Sequence, residues 1–236
     1  MRTMNPRVRG TVVVLGALLT VAIALAVSPI TASTEAQGTK TTTAATAPKA
    51  GVATAALSTR ARRTHVVAGR RAVVTGVLRP AEAGKVVTLQ RRGRHGWRTV
   101  TRDRTNRRGG YRLSFRPRRP GSALLRVRFG GDAHATAARK GAGRLNVYRR
   151  AFASWYGPGL YGQKLGCGGT LTPGTIGVAH KTLPCGTRLT LRYRGRTVRA
   201  RVIDRGPYVG GREFDLTAAT KQRLGFGSTG FVLSTR

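Results

Sequence analysis

Acidic residues are almost missing from this chain. Seven Asp and Glu stand against 44 Lys and Arg in 236 residues, a formal net charge of +37. A field of that size draws in polyanions and favours fast, salt-sensitive association with them. The partner classes it admits are nucleic acid, an anionic lipid surface and phosphate- or carboxylate-bearing polymers, and composition does not choose among them. A plainer reading stands beside this one. Most of the basic residues are Arg, and Arg, Ala and Gly rise together in GC-rich genomes, so much of the charge also reads as solvated surface. Cysteine is scarce too: Cys167 and Cys185 are the only two. A pair without further ligands excludes a structural zinc site, and no other metal or cofactor motif is present. Helical periodicity is nearly absent after the first 30 residues, which excludes a helical bundle.

One long apolar run exists. Arg2, Arg7 and Arg9 precede an uninterrupted apolar or small-residue stretch from Thr11 to Val27, and Ala32 and Ala36 follow as candidate cleavage points. A positive start, an apolar centre and a small-residue exit make a secretory signal over residues 1–36. The apolar centre is also near the lower length of a membrane span, so an uncleaved anchor remains open, and membrane contact is expected only through it. In the oxidising compartment that export implies, Cys167 and Cys185 are expected to form a disulfide. Residues 37–57 are Thr- and Ala-rich without an aromatic residue, and read as a linker.

Between 58 and 150 short apolar alternations are separated by turn signals. Strands are expected at Ala72–Leu78, Lys85–Arg91, Trp97–Asp103, Tyr111–Arg116, Ser122–Phe129 and Arg144–Tyr148. In the fifth, Leu125, Val127 and Phe129 share one face while Arg126 and Arg128 take the other, as a half-buried strand requires. The pattern predicts an antiparallel β-sandwich. Trp97 and Tyr111 are read as core packing, with sugar stacking as the alternative. His65, His95 and His134 have no ligand spacing. The stretch Val100–Tyr111 and the run Phe129-Gly130-Gly131-Asp132 resemble immunoglobulin-like repeats of bacterial surface proteins, which implies a spacer or a charge-based wall anchor.

From Ala151 to Arg236 the signals sharpen. Leu189, Leu191 and Tyr193 alternate with polar residues, Arg194-Gly195 can turn the chain, and Val198, Ala200 and Val202 alternate on the return. Asp204-Arg205-Gly206-Pro207 ends that strand. Asp215 is expected to cap a helix over Leu216–Leu224 closed by Gly225, and Gly230–Ser234 to form a last strand. Counting in twos from Val198 puts Asp204 on the inward face, at the rim of an apolar interior, where desolvation favours a protonated carboxyl. Equally, Asp204 reads as a turn residue bonding backbone amides.

Four motifs carry a family resemblance: Ala153-Ser154-Trp155-Tyr156-Gly157, the stretch Ala179-His180 through Leu183-Pro184 to Gly186-Thr187, Val202 with Asp204-Arg205-Gly206-Pro207, and Gly211-Arg212 with Asp215-Leu216. In order and spacing they resemble the double-psi β-barrel of the rare lipoprotein A family, and more distantly plant expansins and family 45 endoglucanases. The expectation is therefore a mainly β chain, an Ig-like β-sandwich followed over 151–236 by a six-stranded double-psi β-barrel with a short helix. No cysteine lies at the leader's exit, so the family's lipid attachment site is absent.

The resemblance implies a secreted or cell-wall protein, extracytoplasmic and monomeric, whose partner is peptidoglycan or an anionic wall polymer. Export and the lack of a recognition motif argue against nucleic acid. It also implies the site: Asp204 as acid/base, His180 beside it as an orienting group, and Asp215 near the groove. Tyr156, Trp155, Arg205 and Tyr208 are the expected substrate contacts. In a lytic transglycosylase one carboxyl protonates the glycosidic oxygen and then takes a proton from the sugar's own hydroxyl. An ordinary hydrolase needs a second carboxylate, and only Glu213 and Asp215 are available, with Glu213 expected to face away. The family's loop Glu falls at Gly169, which favours a binding module without cleavage as the competing reading.

Overall fold

Alternating apolar residues separated by turn-formers give eight strands in the first part of the chain. The computed structural model describes residues 51–236; the leader and all but the last residues of the linker lie outside them. The strands are β1 (Ala56–Arg63), β2 (His65–Val67), β3 (Ala72–Arg79), β4 (Val86–Gly93), β5 (Gly96–Arg104), β6 (Gly110–Phe115), β7 (Gly121–Phe129) and β8 (Ala138–Tyr156). One sheet has the order β1-β3-β6; the other runs β5-β4-β7-β8, with β2 paired to β8. Their inner faces meet in one apolar core built on Val74 and Leu113 from the first sheet and Val87, Leu89, Leu125, Val127 and Leu145 from the second. Full burial of such a side chain is worth about 1.5–3 kcal/mol. The two-residue alternation in β7 holds: Leu125, Val127 and Phe129 are buried, and Arg126 and Arg128 are not.

The two aromatics of this part separate. Tyr111 is in the core, its hydroxyl donating to the Ser58 carbonyl at 2.6 Å. Trp97 is not. Its ring is half-buried on the outer sheet face with the Arg126 guanidinium 4.2 Å from its centroid and Arg92 at 5.7 Å, so cations cover the face that a sugar would need.

Strand β8 is 19 residues long and belongs to both parts of the fold. Its first half pairs with β7 and β2, and its second half with the barrel strands that follow. The expected boundary at 150/151 therefore falls inside a continuous strand, because ladder pairing passes from β2 and β7 up to Tyr148 to β13 from Arg149 onward without a break. The expected linker is also shorter than its composition suggested. Ala53 donates to the His134 carbonyl at 2.9 Å, and Ala55 to the Thr136 hydroxyl at 3.0 Å, so backbone pairing orders 53–57 despite their small side chains.

The remaining elements are β9 (Val178–Ala179), β10 (Arg188–Tyr193), β11 (Arg196–Asp204), β12 (Phe214–Thr217), the helix α1 (Ala218–Leu224) and β13 (Gly230–Ser234). With β8 they close on themselves in the order β8-β12-β9-β11-β10-β13-β8, a six-stranded barrel with parallel pairs at β8–β12 and β9–β11. Arg194 and Gly195 both take positive φ between β10 and β11, the primed turn that a two-residue hairpin needs. The interior holds Val178, Leu189, Leu191, Val202, Phe214 and Leu216. The helix starts later than predicted. Thr217, not Asp215, is its N-cap and accepts the Thr220 N–H, while Gly225 closes it at φ 64. Residues 214–217 are claimed by sheet pairing with β8 and β9, and that tertiary pairing outweighs the local cap signal.

Candidate functional site

The site forms where a β-bulge turns one carboxylate out of the barrel. On β11, Val202 pairs with Val178 of β9, but Ala179 pairs with Asp204, leaving Ile203 as the extra residue. A bulge of this kind reverses the alternation beyond it. Asp204 therefore does not continue the inward face of Val198, Ala200 and Val202, and the sequence expectation is corrected here. Instead, Asp204 lies level with Ala179, Ala179 with Asp215, and Asp215 with Ser154. Residues directly opposite in a ladder share a face. Four strands thus present Asp204, Ala179, Asp215 and Ser154 in one row, while the next row, Val202, Val178, Leu216 and Trp155, packs toward the core. With two strand spacings between them, the backbones of the two aspartates stand about 10 Å apart, and only a methyl group fills the gap.

Each carboxylate is anchored. Asp204 Oδ1 accepts N–H bonds from Gly166 at 2.7 Å and from Arg205 at 2.8 Å. Gly166 has to be glycine for this approach: a Cβ there would lie 2.9 Å from Arg205 Cγ and 3.1 Å from the Asp204 oxygen. Asp215 Oδ1 accepts the Ser154 hydroxyl, and Arg212 donates to the same hydroxyl oxygen at 3.2 Å. Tyr156 shares the face of Ser154, two residues along β8. Its hydroxyl is sealed from solvent and makes no hydrogen bond of standard geometry. Burial, reinforced by the charges of Asp204 and Asp215, holds its phenol well above the ordinary tyrosine range. The phenol is therefore held protonated near the two carboxylates.

Other expected members of the site have different work. The His180 ring does not reach the Asp204 carboxylate; only the backbones bond, His180 N–H to the Asp204 carbonyl at 3.1 Å. Its Nδ1 accepts the N–H groups of Thr182 and Leu183 at 3.1 and 3.0 Å, so Nε2 carries the proton and looks toward Glu213 at 3.9 Å. Burial lowers its pKa, with Arg149 and Arg205 opposing protonation and Glu213 favouring it. His180 is a neutral turn-former. Glu213 chelates Arg149 through both oxygens and takes no part in the row. Arg205 donates to the carbonyls of His180 and Leu183 at 3.1 and 2.9 Å and to Cys185 Sγ. Its guanidinium holds a loop rather than offering itself to a ligand. Trp155 points the other way from the row and lies under Lys221 of α1 at 3.6 Å, which makes it packing.

Tyr208, in contrast, is 82% exposed in the loop directly after Asp204, next to exposed Val209. Exposed Leu160 and Tyr161 belong to the facing loop that carries Gly166. The loop that carries Gly166 is tied to the loop between β9 and β10 and to the end of β11. Cys167 and Cys185 form a disulfide with 5.5 Å between their Cα atoms, and Cys167 N–H donates to the Ile203 carbonyl. Gly169, where the family's loop carboxylate was expected, sits in an open loop at φ 80, a conformation that favours glycine. Sequence reasoning missed Ser154 and Gly166. The spacing of Ser154 to Tyr156 carried a signal for the first; nothing local marked the second.

Residues 149–233 match the family DPBB_1, described as "Lytic transglycolase". The chain is 40% identical over 91 residues to the "Probable endolytic peptidoglycan transglycosylase RlpA" of Synechocystis sp., covering 38% of this chain and 28% of that protein. It is 38% identical to the protein of that name from Aquifex aeolicus over 39% of this chain and 42% of the relative, and 42% identical to the endolytic peptidoglycan transglycosylase RlpA of Campylobacter jejuni over 30% and 27%. The chain thus spans well under half the length of the curated relatives it matches. Among solved structures, the Streptomyces papain inhibitor is similar at 22% identity and a TM-score of 0.30, over 37% of this chain and 91% of that one. Residues 149–233 thus form a closed six-stranded double-psi β-barrel that is similar to the lytic transglycolase family.

Proposed function

We propose that the row Asp204–Ala179–Asp215–Ser154 is the floor of a groove that takes a peptidoglycan glycan strand and cleaves it, with Asp204 as the single acid/base. The observation that supports this most is the register that sets Asp204 and Asp215 in one row on either side of Ala179, with the buried Tyr156 phenol on the same face. In the reaction, protonated Asp204 gives its proton to the glycosidic oxygen as the bond from that oxygen to the anomeric carbon breaks. A hydroxyl of the same sugar then attacks that carbon, and its proton returns to the Asp204 carboxylate. The atoms balance without a water molecule and without a second catalytic carboxylate. Asp215, steadied by the buried Ser154 hydroxyl, would hold sugar hydroxyls, and exposed Tyr208 and Tyr161 would cover the strand from the two loops.

The setting follows from the same reading: an extracytoplasmic protein of the cell wall, for which a disulfide is ordinary chemistry, with the basic sandwich as spacer or charge-based anchor. A second reading, a binder that does not cut, draws on Gly169 and on the two backbone donors that already hold Asp204 Oδ1. Digestion of purified peptidoglycan separates the two. Cleavage predicts soluble muropeptides from the wild type and none from Asp204→Asn. A binder predicts no release from either, with both sedimenting on the wall.

A further inference from the structure

A concave site lies apart from the carboxylate row and shares no residue with it. Arg144 of β8, Arg188 of β10, and Arg199 and Arg201 of β11 line a cleft of about 480 Å³ between the sandwich and the barrel. Ser122 and Thr190 add hydroxyls to its wall. No carboxylate faces into it, and every Asp and Glu among the described residues is engaged elsewhere. Glu82 and Asp132 hold Lys85, and Glu213 holds Arg149. Asp103 takes the N–H groups of Arg104 and Arg112, while Asp204 and Asp215 sit in the row.

Two of the four arginines repel by construction, since Arg188 stands directly opposite Arg201 in the β10–β11 ladder. Like charges in that position destabilise a sheet. Arg199 is two residues from Arg201 on the same exposed face, about 6.7 Å along the strand. The barrel wall thus presents a short rank of guanidinium forks, and Arg144 approaches from the sandwich. Such forks match phosphate oxygens two at a time. An anionic chain lying in the cleft would relieve the repulsion that the sheet otherwise carries.

We propose that this cleft binds a linear polyol-phosphate polymer, at a site separate from the carboxylate groove. The lining argues against two other classes of polyanion. It has no aromatic side chain on which a nucleobase could stack, which single-stranded nucleic acid sites use. Being concave, it also fits one extended chain better than a flat lipid surface. The inference does not depend on cleavage at Asp204.

The test measures binding of the full chain to oligomeric poly(glycerol phosphate) over a range of salt concentrations. Inorganic phosphate, single-stranded DNA of equal charge and anionic vesicles serve as competitors. Arg188→Gln/Arg201→Gln is expected to weaken polymer binding at least tenfold and to flatten its salt dependence. Arg60→Gln/Arg62→Gln on β1, with the same charge change, is expected to weaken it less than twofold. Arg188→Lys/Arg201→Lys, which keeps charge but loses the forks, should fall between, and Asp204→Asn should bind as the wild type does. Thermal melting of each variant establishes that it is folded. Equal losses in the two Gln pairs would overturn the proposal in favour of a diffuse field. It would equally be overturned if DNA or vesicles competed as well as the polymer, or if Asp204→Asn lost polymer binding.

Discussion

Removing the disulfide tests both the loop staple and the shared strand. Cys167 and Cys185 close a loop of 18 residues, and the chain-entropy relation gives about 3 kcal/mol for a loop of that length. How far this moves the melting temperature depends on how much of the chain melts with the barrel. If β8 couples sandwich and barrel, the unit has roughly 190 residues and an unfolding entropy of about 0.4 kcal/mol/K, so the midpoint falls by about 8 °C. If the barrel melts alone, at roughly 85 residues, the same loss lowers its midpoint by about 18 °C and leaves a second transition in place. Calorimetry of Cys167→Ser/Cys185→Ser against the wild type decides. The continuous strand predicts one transition shifted by the smaller amount. Two separated transitions would refute the coupling, and a shift below about 2 °C would refute the staple.

Three further outcomes follow from the same contacts. Gly166→Ala forces a methyl group against Arg205 and Asp204; overpacking and the displaced carboxylate should cost about 1–3 kcal/mol, read by denaturant unfolding, and should reduce muropeptide release more than it reduces wall binding. Gly76→Ala would place Cβ 2.0 Å from the Ser58 carbonyl and 2.2 Å from the Tyr111 hydroxyl, so the Tyr111–Ser58 bond must break, destabilising the sandwich by about 2–4 kcal/mol in the same assay. His180 and His65 both have pKa values lowered from 6.5, chiefly by burial. The fold therefore holds them neutral, and the stability this gives is present above pH 6.5 and lost as pH falls below it. His180→Gln should flatten that part of the pH–stability curve; an unchanged slope would show that the ring is not held neutral.

Much of the architecture was legible because it rests on alternation and turn chemistry. The β7 strand, the β10–β11 hairpin and the last strand are each specified by residues within a few positions of one another. The failures have one cause in common: pairing with distant strands. Asp215 looks like a helix cap until β8 and β9 claim it. Arg150 looks like a boundary until β8 proves to run through it as one strand from Ala138 to Tyr156. Asp204 counts as inward until the bulge against Ala179 turns it outward. The motifs contain both carboxylates of the row, but His180, Arg205 and Trp155 lie within those same motifs and serve the loops and the core. Motif membership marked the neighbourhood; only the register separates the residues that share the row from those that pack elsewhere. Gly166 was out of reach, because its importance is a contact with Asp204 across 38 residues of sequence.

The most direct test of the central claim is the chemistry of the new sugar end when peptidoglycan is digested in water enriched in oxygen-18. Asp204 acting alone, with the sugar's own hydroxyl as nucleophile, predicts anhydro ends that carry no label and that disappear in Asp204→Asn. Labelled reducing ends would contradict that account, since they require an attacking water. Intact glycan after exhaustive digestion would contradict it as well, and would leave the groove as a binding surface.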